Sequence, residues 1–195
     1  MAIMNILPFA RFLLDGALKE GGIAVDATVG NGHDTVFLAE RVGERGHVFG
    51  FDIQAEAIAA ARARLAEHGL DGRVTLFQTS HSLLLETLPR HVHGRVAAAV
   101  FNLGYLPGGN KQIVTKPEST IEAVRQLLSI LKPGGVIALV VYHGHPEGKI
   151  ERDALLDYVR TLDQRRAHVL QYQFLNRRND PPFLLAIEKR TNGAG

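Results

Sequence analysis

Short apolar runs alternate with amphipathic stretches along this chain, and the alternation predicts its architecture. β-Branched or apolar runs occur at residues 23–28 (IAVDAT), 47–53 (HVFGFDI), 73–78 (RVTLFQ), 96–101 (VAAAVF), 136–142 (VIALVVY), 166–175 (RAHVLQYQFL) and 183–189 (FLLAIEK). Each has the length and residue types of a strand. Between the first five lie segments of helical spacing at 34–42, 55–69, 82–88 and 119–131, and another at 150–163 follows the fifth. Strand and helix in turn imply an α/β fold whose mostly parallel sheet carries helices on both faces. The last two runs are separated only by NRRNDPP, so they are expected to form an antiparallel C-terminal hairpin at one edge of a seven-stranded sheet. Upstream, residues 4–20 read as a helix with an apolar face of Ile6, Phe9, Phe12, Leu13 and Leu14, broken by Arg11 and Asp15. It is expected to pack on a single domain spanning 1–195.

Composition narrows the classes. A chain of 195 residues can bury one sizeable core. Net charge is only +2, although the sequence pI is about 9.0 and Arg177 and Arg178 stand together, which permits an acidic partner. The absence of cysteine excludes a disulfide framework, a thiolate zinc site and a cysteine nucleophile. The N-terminal segment lacks the long apolar stretch and small-residue cleavage site of a signal peptide. No run approaches the roughly 20 apolar residues of a membrane span, so a cytoplasmic location without a membrane partner is expected.

Five segments that end or follow strands carry the candidate chemistry. DATVGNGHD, Asp26 to Asp34, joins the first strand to a helix, and Gly30 and Gly32 allow a tight turn and close approach to a ligand. The spacing is G-x-G, without the third glycine of a dinucleotide fingerprint. Asp52, about 20 residues on at the end of the second strand, suits a ribose diol but equally an N-cap for the helix beginning near Ala55. Ser80 and His81 follow the third strand, and Tyr142-His143-Gly144-His145 follow the fifth. With Glu147 the only acid nearby, no metal is expected at the two histidines. The fourth strand stops at Asn102 in FNLGYLPGG, a composition that an ordinary turn would also explain. All these segments fall on the carboxyl edge of the sheet, where ligands of open α/β sheets bind.

The seven-strand pattern with its terminal hairpin, DATVGNG and Asp52 together resemble the Rossmann-like class I S-adenosylmethionine (SAM) methyltransferases. DATVGNGHDT, SHSLL, NLGYLPGGNK, Ser119 to Ala123, YHGHPEG and NRRNDPPFLLAIEK are similar, in that order, to a bacterial family long labelled rRNA methylase. Its characterised role is N-methylation of the aminomethyl group of 5-aminomethyl-2-thiouridine at the tRNA wobble position. The resemblance implies SAM contacts from Asp26, Thr28, Gly30, Asn31, Gly32, Asp34, Asp52, Gln54, Ser80, His81 and Asn102. Asn102-Leu103-Gly104-Tyr105 is similar to the Asn-Pro-Pro-Tyr loop of N-methyltransferases, with both prolines replaced. It implies that Asn102 orients the amine while Tyr105 forms a wall. Proton acceptors open to the reaction are His143, Asp34, His81 and solvent. Tyr105, Lys111, Tyr142, His143, Arg177 and Arg178 are the implied substrate contacts, with Lys116, Asn176 and Asn179 of similar standing. The implied partner is a tRNA anticodon stem-loop, and a homodimer is expected to supply further tRNA surface. Other RNAs, a small amine, a non-catalytic SAM-binding module and a nicotinamide dehydrogenase are the competing readings.

Overall fold

Helix α1 (Ile6–Ala17) buries Ile6, Ala10, Leu14 and Ala17, whose spacing of four, four and three residues keeps them on one stripe. The buried stripe is therefore narrower than the sequence suggests. Phe12 is 57 % exposed, since two helical residues beyond Ala10 is the opposite side, and the ring of Phe9 lies 4.3 Å from that of Tyr172. The structure is a computed structural model and describes residues 2–104 and 114–191.

The remaining elements are β1 (Ile23–Asp26), α2 (His33–Val42), β2 (His47–Asp52), α3 (Ala55–Glu67), β3 (Val74–Gln78), α4 (Leu84–Thr87), β4 (Val96–Leu103), α5 (Pro117–Ile130), β5 (Leu131–Val141), α6 (Pro146–Arg160), β6 (Ala167–Tyr172) and β7 (Phe183–Lys189). They build one seven-stranded sheet in the order β3-β2-β1-β4-β5-β7-β6. Only β7 runs against the others, pairing antiparallel with both β5 and β6. Alternating strand residues feed two cores. Ala24, Val48, Ala98 and Val140 meet α1, α2 and α3 on one face, while Val25, Phe49, Ala99 and Leu139 meet α4, α5 and α6 on the other. The sheet is thus covered on both faces, as a doubly wound parallel sheet requires.

Several runs differ in extent from their sequence reading, three of them instructively. The sixth strand ends at Tyr172, because its ladder partner Leu184 lies one residue from the start of β7. The fifth begins early: Leu131 pairs with Val96 and Val136 with Ala98, so residues 132–135 loop out of the ladder with Gly134 at φ 74°. The segment at 82–88 divides into a 3-10 turn at His81–Leu83 followed by α4. None of this moves the carboxyl edge. β2 and β4 flank β1 there, and the strand order reverses between β1 and β4, the position at which such sheets open a crevice.

Candidate functional site

The turn after β1 is held from several sides. Ala27 donates its backbone N–H to Val100 O (2.9 Å) and Val29 to Phe51 O (3.1 Å), which ties the loop to β4 and β2. Gly30 and Gly32 both have positive φ, 52° and 79°. At Gly32 the demand is steric as well, since a Cβ would stand 2.9 Å from Ala61 Cα on α3. Asp26 is fully buried; it accepts Thr28 N–H (3.2 Å) and the Thr35 hydroxyl (2.6 Å). Asp26 and Gly32, both expected to touch the cofactor, are not among the residues that line the cavity, and they shape the turn. Burial first, and then the neighbouring Asp34 carboxylate, push Asp26 up to about 7 from its ordinary 3.8.

This shift has a sign that can be measured. Between about pH 4 and 7 the folded chain retains a proton on Asp26 that the unfolded chain releases, so stability is lost as pH rises through that window. Asp26→Asn is expected to abolish this loss, gaining on the order of 3 kcal/mol relative to wild type between pH 5 and 8. Parallel urea titrations of the two proteins at both pH values would read it, and an unchanged difference would place the Asp26 pKa near its ordinary value.

Asp52, at the end of β2, accepts Gly30 N–H on Oδ2 (2.9 Å) and Gln54 N–H on Oδ1 (3.0 Å). It therefore joins the glycine turn to the start of α3, and each oxygen keeps a lone pair for a ligand hydroxyl. Gln54 is the N-cap residue of α3 by position and makes no side-chain cap.

Asn102 occupies the facing wall. Its backbone N–H donates to Thr28 Oγ1 (2.7 Å) and its side-chain Nδ2 to Asp34 Oδ2 (2.6 Å). A carboxylate only accepts, so the amide nitrogen must point at Asp34, and the amide oxygen is the end left to receive a donor. Asp34 Oδ1 in turn accepts Arg11 Nε (2.9 Å) and Nη2 (2.7 Å) from α1. The backbone carbonyl of Leu103 accepts Tyr142 N–H (3.2 Å).

Histidines line the remaining walls, among them His81 and His143. His81 Nδ1 bonds Ala27 O (2.9 Å), which fixes the proton on Nδ1, and its buried Nε2 has no partner among the described residues. Burial holds its pKa below the ordinary histidine value. His143 is 5 % exposed with its ring 5.5 Å from Phe183, and neither ring nitrogen has a partner among the described residues. Tyr142 is half-exposed, and burial followed by the Asp34 charge raises its pKa.

These groups enclose a cavity of ≈ 930 Å³, within the range of small-molecule sites. Of the residues read from sequence, Thr28, Gly30, Asn31, Asp34, Asp52, Gln54, Ser80, His81, Asn102, Tyr142 and His143 line it, as does Lys116. Arg177 and Arg178 do not. Arg177 donates to Asn5 Oδ1 (2.8 Å) and stacks 3.8 Å over Phe174, while Arg178 is exposed on the same hairpin. Asn176 and Asn179 also lie off the cavity. Tyr105 and Lys111 lie outside the described residues. Among the described residues no three His, Asp or Glu side chains gather as metal ligands, and no helix is long and apolar enough to cross a membrane.

Sequence reading missed Arg11, Asp180 and Glu151. Arg11 and Asp180 line the cavity, and Glu151 holds the hydroxyl of Thr115, which also lines it. Glu151 is 2 % exposed and accepts the Thr115 hydroxyl on Oε2 (2.6 Å) and the Thr120 hydroxyl on Oε1 (2.7 Å). Thr115 also accepts Gly104 N–H (3.0 Å) and donates its own N–H to Gly104 O (3.0 Å). Burial raises the Glu151 pKa against the lowering effect of those two hydroxyls.

The electrostatics select a ligand class. Asp34 and Asp52 flank the glycine turn, and Asp34 sits in the first turn of α2. A pyrophosphate at that helix end would meet acidic charge in the place where dinucleotide sites present bare N–H groups. An adenosine bearing a sulfonium fits: the acids oppose its positive charge, Asp52 has capacity for the ribose diol, and the orphaned His81 Nε2 can accept a donor.

Comparison with known proteins agrees with that fit. Residues 48–188 match the model of the family described as "Putative rRNA methylase". The chloroplastic tRNA (mnm(5)s(2)U34)-methyltransferase of Arabidopsis thaliana is 36 % identical over 192 residues, 94 % of this chain and 69 % of the plant protein. The crystal structure of a "putative rRNA-methylase" from Clostridium thermocellum superposes with a TM-score of 0.93 at 41 % identity, covering 97 % of this chain and 100 % of that one. SMU.1697c, a methyltransferase from Streptococcus mutans solved in complex with S-adenosylhomocysteine (SAH), gives 0.87 at 37 % identity, covering 96 % and 99 %.

Proposed function

We propose, from the premise that this chain belongs to the rRNA methylase family of class I SAM-dependent methyltransferases, that it methylates the aminomethyl nitrogen of 5-aminomethyl-2-thiouridine at the tRNA wobble position. The cofactor is SAM and the coarse reaction is methyl transfer to RNA. The orientation of the Asn102 amide carries the finer reading, because its nitrogen is committed to Asp34 and its oxygen is left to accept. A primary amine has the N–H groups to use that acceptor. The Arabidopsis relative is named for the methylaminomethyl nucleoside that this reaction would form.

Bound in this cavity, SAM supplies an activated methyl electrophile. Asp52 holds the ribose, with the glycine turn against it, and His81 Nε2 accepts a donor from the cofactor. Asn102 accepts one amine N–H, which directs the nitrogen lone pair along the line of transfer. An amine nitrogen methylated there would have one proton to shed. His143 takes that proton: it lines the cavity and both its nitrogens lack other partners among the described residues. Tyr142 contacts substrate, Lys116 meets a phosphate at the rim, and Arg178 reaches one farther along the anticodon stem.

Mass spectrometry of nucleosides tests this reading. After incubation with SAM, tRNA carrying 5-aminomethyl-2-thiouridine is expected to yield the methylaminomethyl nucleoside. Absence of conversion alongside intact SAM binding would overturn the wobble assignment and direct the assay to ribosomal RNA and small amines.

A further inference from the structure

Arg11 breaks the apolar face of α1, yet it reaches the cavity. Its Nε and Nη2 both bind Asp34 Oδ1, at 2.9 and 2.7 Å, and its guanidinium lies 5.1 Å from the centroid of the Phe37 ring. Asp34 gives its other oxygen to Asn102 Nδ2 at 2.6 Å. The three side chains come from α1, α2 and β4, so an ion pair on the outer helix connects directly to the group that faces the substrate. The Arg11 side chain is 42 % exposed and that of Asp34 is 14 % exposed. An ion pair this open contributes little to stability. It does fix geometry, because the guanidinium fork holds one carboxylate oxygen and thereby aims the other.

We propose that Arg11 is a positioning residue for methyl transfer, acting through Asp34 to hold the Asn102 amide with its nitrogen inward and its oxygen toward the acceptor amine. The proposal rests on the role given to Asn102 above. Without Arg11 the Asp34 carboxylate is free to rotate toward solvent, and the amide loses the partner that distinguishes its two ends. Asp34 thereby serves as an anchor for Asn102, and Arg11 keeps it occupied.

A double-mutant cycle separates this from a structural role. Arg11→Gln is expected to lower kcat on the tRNA substrate on the order of tenfold, with SAM affinity and thermal midpoint nearly unchanged. Arg11→Lys, which restores the charge without the fork, should recover part of the loss. In an Asn102→Ala background, Arg11→Gln should cost nothing further. An equal cost in both backgrounds overturns the proposal, as does a loss confined to the KM for tRNA, which would mark a phosphate contact. A second readout needs no substrate. The Asn102 side-chain NH2 pair, assigned in a ¹⁵N spectrum by its loss in Asn102→Ala, should move in Arg11→Gln, and an unmoved pair overturns the relay. Failure of wild type to convert the tRNA defeats the wobble reading alone, and the spectrum then decides the relay.

Discussion

Asn102→Ala is expected to lower kcat about a hundredfold while leaving the Kd for SAM within a factor of a few. The asymmetry follows from where the side chain stands. Its nitrogen is spent on Asp34, and its remaining function is to present an acceptor oxygen. The backbone N–H that ties Asn102 to Thr28 survives the substitution, so the turn that carries the cofactor keeps its shape. Asn102→Asp is a sharper probe. It would place a second carboxylate against Asp34, and like charges at hydrogen-bond distance force one of them to take up a proton. Activity in that variant should show a pH dependence beyond that of the alanine variant, from the added titration of the carboxylate pair. Single-turnover rates with saturating SAM measure the first effect, and unchanged turnover in Asn102→Ala would remove the residue from the chemistry.

Asp52→Ala is expected to have its main effect on binding. The proposed ribose contact would lose two charge-assisted hydrogen bonds, each contributing about 1.5–3 kcal/mol, so affinity should fall by at least a hundredfold. The loop suffers too, because Gly30 and Gln54 lose the acceptor for their N–H groups. For that reason Asp52→Asn is not a mild substitution: one end of the amide can accept, and the other would point a donor at a donor. Calorimetric titration with SAH reads both variants. A Kd equal to that of wild type would leave Asp52 with only the structural bonds it makes to the turn and to α3.

Much of this molecule was legible in its sequence because strand and helix alternate with so little ambiguity. The seven runs became seven strands, and the segment without a helix, NRRNDPP, became the hairpin that sets β7 against its neighbours. Local pattern overreached where tertiary pairing decides extent, as at residues 173–175, which have strand composition but no ladder partner. The same limit governs the site. Asn102 and Asp52 could be placed because each ends a strand on a known edge. Asp26 has the same position, yet its oxygens turn inward to Thr28 and Thr35, and nothing in DATVG reports which way a side chain faces. Glu151 was illegible for another reason. IERDALLDYV reads as an exposed helical face, and its partners Thr115 and Thr120 lie 36 and 31 residues away. Arg11 did leave a trace: an arginine interrupting an apolar stripe needs a polar partner, and Asp34 is that partner.

The reversed direction of β7 divides this enzyme into two parts that can change at different speeds. Every other strand delivers its final residues to the cavity edge, but β7 delivers its first, so the 173–182 connection meets the cavity through Asp180 while Phe183 braces His143. Asn179 and Asp180 adopt positive φ, 67° and 46°, conformations that non-glycine residues hold only when the surroundings demand them. That connection can lengthen, shorten or exchange residues without displacing Asp52 or the turn after β1, which lie across β4 and β5 from it. A catalyst arranged this way can be retuned toward a new acceptor by editing one hairpin, with its grip on the methyl donor inherited intact.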